Sequence, residues 1–418
     1  VLAFGNDGKL DFIQDTNNNK VTASYTNAKL TTLTYTNGDV ITFAYNSTGR
    51  ISEITDRFGQ KTTYTYDVTG EKLLSVNDVS GTISYTYETS GAKANAIKSI
   101  TFPDGTQTLF DYDNKGRLIK ESRNGGAETV NYSYDSTGGV TVTDASGQSQ
   151  ILQNASGQIS QIKDALGRVT EFRYDNTGNL TRIIAPENNL SNFNYDNRGN
   201  LLSTTDPLGQ RIEFTYNSQF NQIQSVRDQR GNSIYYNYDD KGNLNNITYA
   251  DGSKETYSYN NKGEVTISVN RRGQDIDYTY DTRGQLTKKV FADGTEATFE
   301  YDSRGNLTKA TDADSSVTYT YDGADRLTKV SYGTGRSLEF AYDAGGRRTK
   351  MVQDGFTTNY SYDEVGRLQQ LTDKNGANII TYSYDNVGRL ARENNGNGTY
   401  TTYSYDAAGQ LLNIINYK

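Results

Sequence analysis

The side chains whose type and spacing are best suited to chemistry are carboxylates. An aspartate follows an aromatic residue again and again along the 418 residues, as at Asp113, Asp281 and Asp363. Such a ladder of carboxylates could bind a hard cation through oxygen, or supply the acid and base of a glycoside hydrolysis, which needs no histidine. Composition removes most other options, because the chain has no Cys, no His and no Trp. A disulfide framework, a thiolate nucleophile, a Ser-His-Asp or Cys-His pair and zinc, haem or iron-sulfur sites of the usual ligand types are excluded.

The carboxylates read first as turn formers. An Asp at the start of a turn hydrogen-bonds the backbone two residues on. Asn stands in its place at Asn46, Asn217 and Asn260; an amide caps a turn as well as a carboxylate does, whereas a catalytic base tolerates no such exchange. No carboxylate pair stands out from the repeats. The clusters Asp15 to Asn19 and Asn394 to Asn397 lack the twelve-residue calcium-loop spacing with its terminal Glu, and Asn395 to Gly398 has no Lys-Ser/Thr after it to make a phosphate loop. The expectation is a protein that is not an enzyme and carries no catalytic, metal or cofactor site.

What positions these residues is a repeat. Tyr112-Asp113-Asn114-Lys115-Gly116-Arg117-Leu118 shows it in full, and Tyr66-Asp67 with Gly70, Tyr195-Asp196 with Gly199, Tyr280-Asp281 with Gly284, Tyr362-Asp363 with Gly366 and Tyr384-Asp385 with Gly388 keep its three structural residues. From Phe4 to Tyr405 there are 20 registers at a mean period of about 21 residues, within the range of repeat architectures. One register is degenerate, with Gln153 in the aromatic slot.

A second turn falls half a period later, as in Asp56-Arg57-Phe58-Gly59 and Asp206-Pro207-Leu208-Gly209. Two turns per unit leave segments of strand length, so the units are β-hairpins in series, about 40 strands in all. Alternation before each Tyr-Asp, as in Tyr382-Ser383-Tyr384, puts both rings on one face. In the second strand the aliphatics stand three apart, at Ile51 and Ile54, Leu180 and Ile183, or Ile223 and Val226, which means opposite faces or an intervening bulge. At about 4.8 Å per strand the strip would run roughly 190 Å, and a single coil using all of it would be about 60 Å across.

These residues resemble the YD repeat of the rearrangement-hot-spot (Rhs) proteins, the shell subunits of ABC-type insecticidal toxins, bacterial wall-associated proteins and teneurins. Tyr112 to Leu118, Tyr362 to Leu368 and Tyr384 to Leu390 carry the likeness. The resemblance implies an all-β strip of tandem hairpins wound spirally into a partial or complete hollow shell, secreted or at a cell surface, which in toxins encloses an effector polypeptide and in teneurins supports adhesion. Toxin-type members close the shell with an Asp-Pro-rich segment that includes a self-cleaving aspartyl protease; here the only Asp-Pro, Asp206-Pro207, lies in a mid-repeat turn, so the family's proteolytic carboxylates have no counterpart.

The remaining composition fits that expectation. The apolar fraction is 33%, but 34 Tyr and 14 Phe argue for folding. A net charge of −8 without a basic stripe argues against nucleic acid, and no apolar run is long enough to span a membrane as a helix. The chain opens at Val1 and reads as one array, residues 1–418, cut from a larger protein. Deleting one whole unit should disturb it less than deleting half of one, which shifts the register. Two rival readings follow from the same residues. Tyrosine faces such as Tyr278 with Tyr280 could bind a glycan or a cell-surface protein, and unpaired terminal strands could drive self-association into filaments.

Overall fold

A computed structural model of the chain describes residues 1–136 and 138–418. It contains 40 β-strands in one sheet, and among the described residues the only helical turns are three short 3-10 segments, Gly91–Lys93, Asn124–Gly126 and Pro186–Asn188. Among the described residues, strands consecutive in sequence pair antiparallel, and the first and last strands, Leu2–Phe4 and Leu411–Tyr417, pair only with their sequence neighbours, so the sheet is not closed into a barrel.

The spacing left open by the sequence resolves as a bulge. Strand Lys61–Tyr66 pairs with Leu73–Asp78 so that Tyr64 faces Val76, Thr65 faces Ser75 and Tyr66 faces Leu73. Leu74 is the extra residue; it flips the register by one and brings Leu73 and Val76, three apart, to the face that holds both rings. The same shift sets Leu180 and Ile183 opposite Tyr174 and Phe172, and Ile223 and Val226 opposite Tyr216 and Phe214.

Burial is shallow. Among the described residues, Ala23 and Val330 are the hydrophobic residues that are buried, and the chain exposes 24,570 Å², against about 16,000 Å² for a compact chain of this mass. A one-layer sheet gives that result: the ring face is half-covered and the polar face is open, as in Asp275–Tyr280, where Ile276, Tyr278 and Tyr280 are half-buried and the residues between them exposed.

Contacts divide the chain into two units, one comprising residues 1–43, 56–58 and 171–317, the other residues 44–55, 59–170 and 318–418. Each unit brings an early and a late stretch of strip edge to edge. In the first, Asn17 Nδ2 donates to Asn243 Oδ1 at 2.9 Å, Asn19 Nδ2 donates to the Lys262 carbonyl at 2.9 Å, and Phe58 packs over Gly305. In the second, Arg347 Nη1 meets Asp104 Oδ2 at 3.0 Å, Arg367 Nη1 meets Glu128 Oε1 at 3.0 Å, and Asn124 Nδ2 donates to the Glu364 carbonyl. In each unit, mid-repeat turns or their flanks on the early stretch touch aromatic-Asp turns on the late one. Partners lie 226 to 265 residues apart, about 240 in most cases, so within each unit a late stretch lies beside an early one.

Candidate functional site

The residues singled out by the repeat form one turn, built many times. At Tyr112 to Leu118 the Asp113 backbone N–H donates to the Arg117 carbonyl at 2.9 Å, and the Gly116 N–H to the Asp113 carbonyl at 3.1 Å. The Asp113 side chain fills the loop: Oδ1 accepts the N–H groups of Lys115 and Arg117 at 2.8 and 2.9 Å, and Oδ2 accepts Arg117 Nε at 2.8 Å. Asp363 and Asp385 repeat this with Arg367 and Arg389. Asp196 uses Asn200 as its side-chain partner, Asp281 caps the N–H groups of Arg283 and Gln285, and Asp67 those of Glu71 and Lys72. Gly70, Gly116, Gly199, Gly284, Gly366 and Gly388 all lie at φ between 74° and 88°.

These bonds decide the electrostatics. Burial raises the proton affinity of Asp385, but Arg389 and the capped N–H groups outweigh it and hold the carboxyl below its usual range. At Asp175 the Thr177 hydroxyl and the Asn179 backbone pull the value down to about 2. A carboxylate whose lone pairs are taken up in this way is a poor general base at neutral pH. Asp15 is likewise committed to Asn17 and Asn19. Among the described residues, no three His, Cys, Asp or Glu side chains are grouped to hold a metal, and no helix is long and apolar enough to cross a membrane.

The tyrosine does something that ring patterning does not reveal. Its phenol reaches back to the preceding repeat and donates to the backbone carbonyl where that repeat's second strand begins: Tyr66 to Ile51 at 3.0 Å, Tyr112 to Ile97 at 2.8 Å, Tyr362 to Arg348 at 2.8 Å and Tyr384 to Leu368 at 2.7 Å. Tyr195 and Tyr280 sit in the same register, opposite Leu201 and Leu286. Burial raises the phenol pKa of Tyr112, Tyr280 and Tyr384. A signal for this bond exists in the sequence. The Tyr-Asp slot is almost always Tyr, whereas two places earlier Phe is common, as at Phe110, Phe172, Phe193 and Phe214; only the first position uses its hydroxyl on the backbone. Replacing Tyr384 by Phe keeps the ring and strands the Leu368 carbonyl, with an expected loss of about 1 kcal/mol, whereas Tyr384→Ala, which also removes the ring, should cost about 3 kcal/mol or more. Chemical denaturation of the two variants checks the order.

The arginine links forward. Arg117, Arg367 and Arg389, each held by its own Asp, lie over Tyr134, Tyr384 and Tyr405 of the next repeat at 4.2, 4.5 and 4.6 Å. Asp, Arg and Tyr therefore form a relay from one turn to the next. Tyr278 and Tyr280, named above as a face that could bind a glycan, are half-buried, and the Tyr278 and Ser268 hydroxyls share a hydrogen bond at 3.0 Å. Several rings do stand in solvent, among them Tyr235, 51% exposed, and Phe356, 81% exposed.

A sequence profile of the Teneurin YD-shell family matches residues 2–122, 119–273, 211–353 and 332–417. A search of curated proteins finds no match. Among solved structures, the Tc holotoxin pore of Photorhabdus luminescens is similar at a TM-score of 0.52 and 13% identity, over 100% of this chain and 29% of that one. The crystal structure of TcdB2-TccC3 aligns at a TM-score of 0.49 and 14% identity, over 99% of this chain and 31% of that one. The chain thus spans about three tenths of either relative, and the holotoxin likeness supports the fold alone. With the family profile covering nearly every repeat, the chain belongs to the Teneurin YD-shell family.

Proposed function

We propose that this chain is a wall segment of a larger secreted or cell-surface protein, one array over residues 1–418, and that the wall encloses a polypeptide. The observation that carries this reading is a lattice tied in two directions. Along the strip, phenols such as Tyr384 and arginines such as Arg367 join neighbouring repeats; across it, Arg347 to Asp104 and Arg367 to Glu128 join stretches about 240 residues apart. Membership of a family of structural shells supports a scaffold role, and encapsulation extends that role by analogy with toxin shells.

Two measurements follow. Asp104 and Arg347 have side chains only 10% and 25% exposed, so a double-mutant cycle with Asp104→Asn and Arg347→Gln should show a coupling of about 1 kcal/mol. Protease treatment of the native full-length protein should leave a polypeptide resistant until the shell is denatured. Complete digestion of everything outside intact repeats would contradict encapsulation.

The reading as an adhesion module rests on Tyr235, whose open ring could meet a sugar face. Glycan-array binding lost in Tyr235→Ser with the fold retained would favour it, and an array without a reproducible hit would exclude it.

A further inference from the structure

We propose that the first unit binds a small amphipathic carboxylate, an apolar chain ending in one negative charge, in an opening of its seam between the turns at Tyr35 and Gly284. The seam is where the early and late stretches of that unit meet, and both of its sides are present. Three successive mid-repeat turns of the early stretch line it, with Asn17, Asn37 and Phe58 in equivalent places just before or at the turn's end. A Cβ at Gly263 of the late stretch would meet Asn17, and one at Gly305 would meet Phe58. Asn37 does not reach across in this way. It folds back on its own turn, where Nδ2 donates to Asp39 Oδ2 at 2.9 Å and Oδ1 accepts the Asp39 N–H at 3.1 Å. A Cβ at Gly284 would accordingly meet only Glu264, of its own stretch. A pocket of about 550 Å³ opens at this point, within the ~300–1,000 Å³ of small-molecule sites.

The lining decides the class of ligand. Ile13, Val21 and Tyr35 stand directly opposite one another on three adjacent strands and form an apolar row; Ile13 is 46% exposed and Tyr35 38%. Around the row lie three cations, Lys20, Lys262 and Arg283, and two acids, Asp15 and Glu264. The acids are engaged: Asp15 accepts N–H groups of Asn17 and Asn19, and Glu264 Oε2 accepts Asn260 Nδ2 at 2.6 Å. The cations meet neutral partners instead. Lys20 Nζ lies over the Phe12 ring at 3.7 Å, Arg283 Nη1 donates to the Ser303 carbonyl at 3.1 Å, and Lys262 Nζ donates to the Thr282 carbonyl at 3.2 Å. Thr282 is itself in the lining, so the Lys262 ammonium stands at the pocket with donors to spare. An apolar row beside an ammonium that lacks a counter-charge is complementary to an acyl chain and its carboxylate. This site goes beyond the enclosing wall proposed above and does not depend on it.

The chain has no Trp, so Tyr35→Trp in the 418-residue protein places a single indole in the pocket. Sodium decanoate at up to about 10 mM should shift its fluorescence to the blue and saturate, and calorimetric titration of the unsubstituted chain should give the same affinity. Each methylene from hexanoate to decanoate should tighten binding about threefold to fourfold. Decyltrimethylammonium, the opposite charge on the same chain, should bind at least about tenfold more weakly than decanoate. Adding Asn37→Phe, which gives this turn the side chain that Phe58 supplies at the next, should abolish the shift. Adding Lys262→Gln should erase the preference for the carboxylate, with circular dichroism unchanged in both. Tyr235→Trp, at an open ring outside the pocket, should not respond. No saturable binding by either method, an equal shift in Tyr235→Trp, or a shift that survives Asn37→Phe would overturn the site. Equal binding of the two charges would overturn the ligand class. A shift produced by phosphatidylglycerol vesicles and not by free decanoate would also overturn the proposal and mark contact with a membrane surface.

Discussion

The stability of this protein is expected to hold level across the neutral range and to fall away at both ends of the pH scale. The acid limb comes from the turn aspartates. Their folded values lie below the ordinary 3.8, because Thr106 and Arg347 at Asp104, Arg389 at Asp385 and Thr177 at Asp175 favour the charged form, against burial at Asp104 and Asp385. A depressed carboxyl contributes stability that is present above the unfolded value and lost as pH falls through the folded one, here from about 4 down to about 2. The alkaline limb comes from the phenols. Burial, with Glu88 beside Tyr112 and Glu255 beside Tyr257, raises them above 10.0, to about 12 at Tyr257. A raised phenol contributes stability that is present below 10.0 and lost as pH rises through the folded value, and a phenolate no longer donates to the preceding repeat. Because the same turn recurs along the chain, the small effects accumulate. With neither His nor Cys in the chain, a scan of unfolding midpoint against pH should show no step between the two limbs. A midpoint unchanged at pH 2, or a step near pH 7, would contradict this account.

The second large effect is expected at Gly116. Its φ of 80° lies in the left-handed region, and a Cβ there would sit 2.5 Å from the Ala92 carbonyl oxygen of the preceding turn. Gly105 has nearly the same φ, 81°, with nothing within 4 Å. Gly105→Ala should therefore cost about 1 to 2 kcal/mol, the penalty of a left-handed residue with a Cβ. Gly116→Ala should cost that and a further 1 to 3 kcal/mol of overpacking, because the obstacle is backbone and cannot rotate away. Equal losses in chemical denaturation would mean that the close approach of successive turns carries no stability.

Much of the fold was legible because it is local. Two turns per period of about 21 residues imply about 40 strands, and the described residues form 40. The Asp and Gly of Asp113 to Gly116 announce their turn because one residue caps the backbone and the other accepts its φ. The bulge at Leu74 was not legible, since aliphatics three apart fit two registers, and only pairing against Tyr64 and Tyr66 selects one. The phenol of Tyr384 was missed because ring alternation is satisfied equally by Phe, and the hydroxyl matters only once the Leu368 carbonyl is placed beside it. Contacts between stretches were beyond reach for another reason. Arg347 with Asp104, Asn17 with Asn243 and Phe58 over Gly305 use different chemistry each time, so no period marks them, and about 240 intervening residues separate the partners.

The most direct test of the wall is electron microscopy of the intact native protein that contains these repeats. The account predicts hollow particles walled by a continuous sheet, with density inside. Open, empty strips would contradict enclosure and leave the repeats as a surface scaffold only.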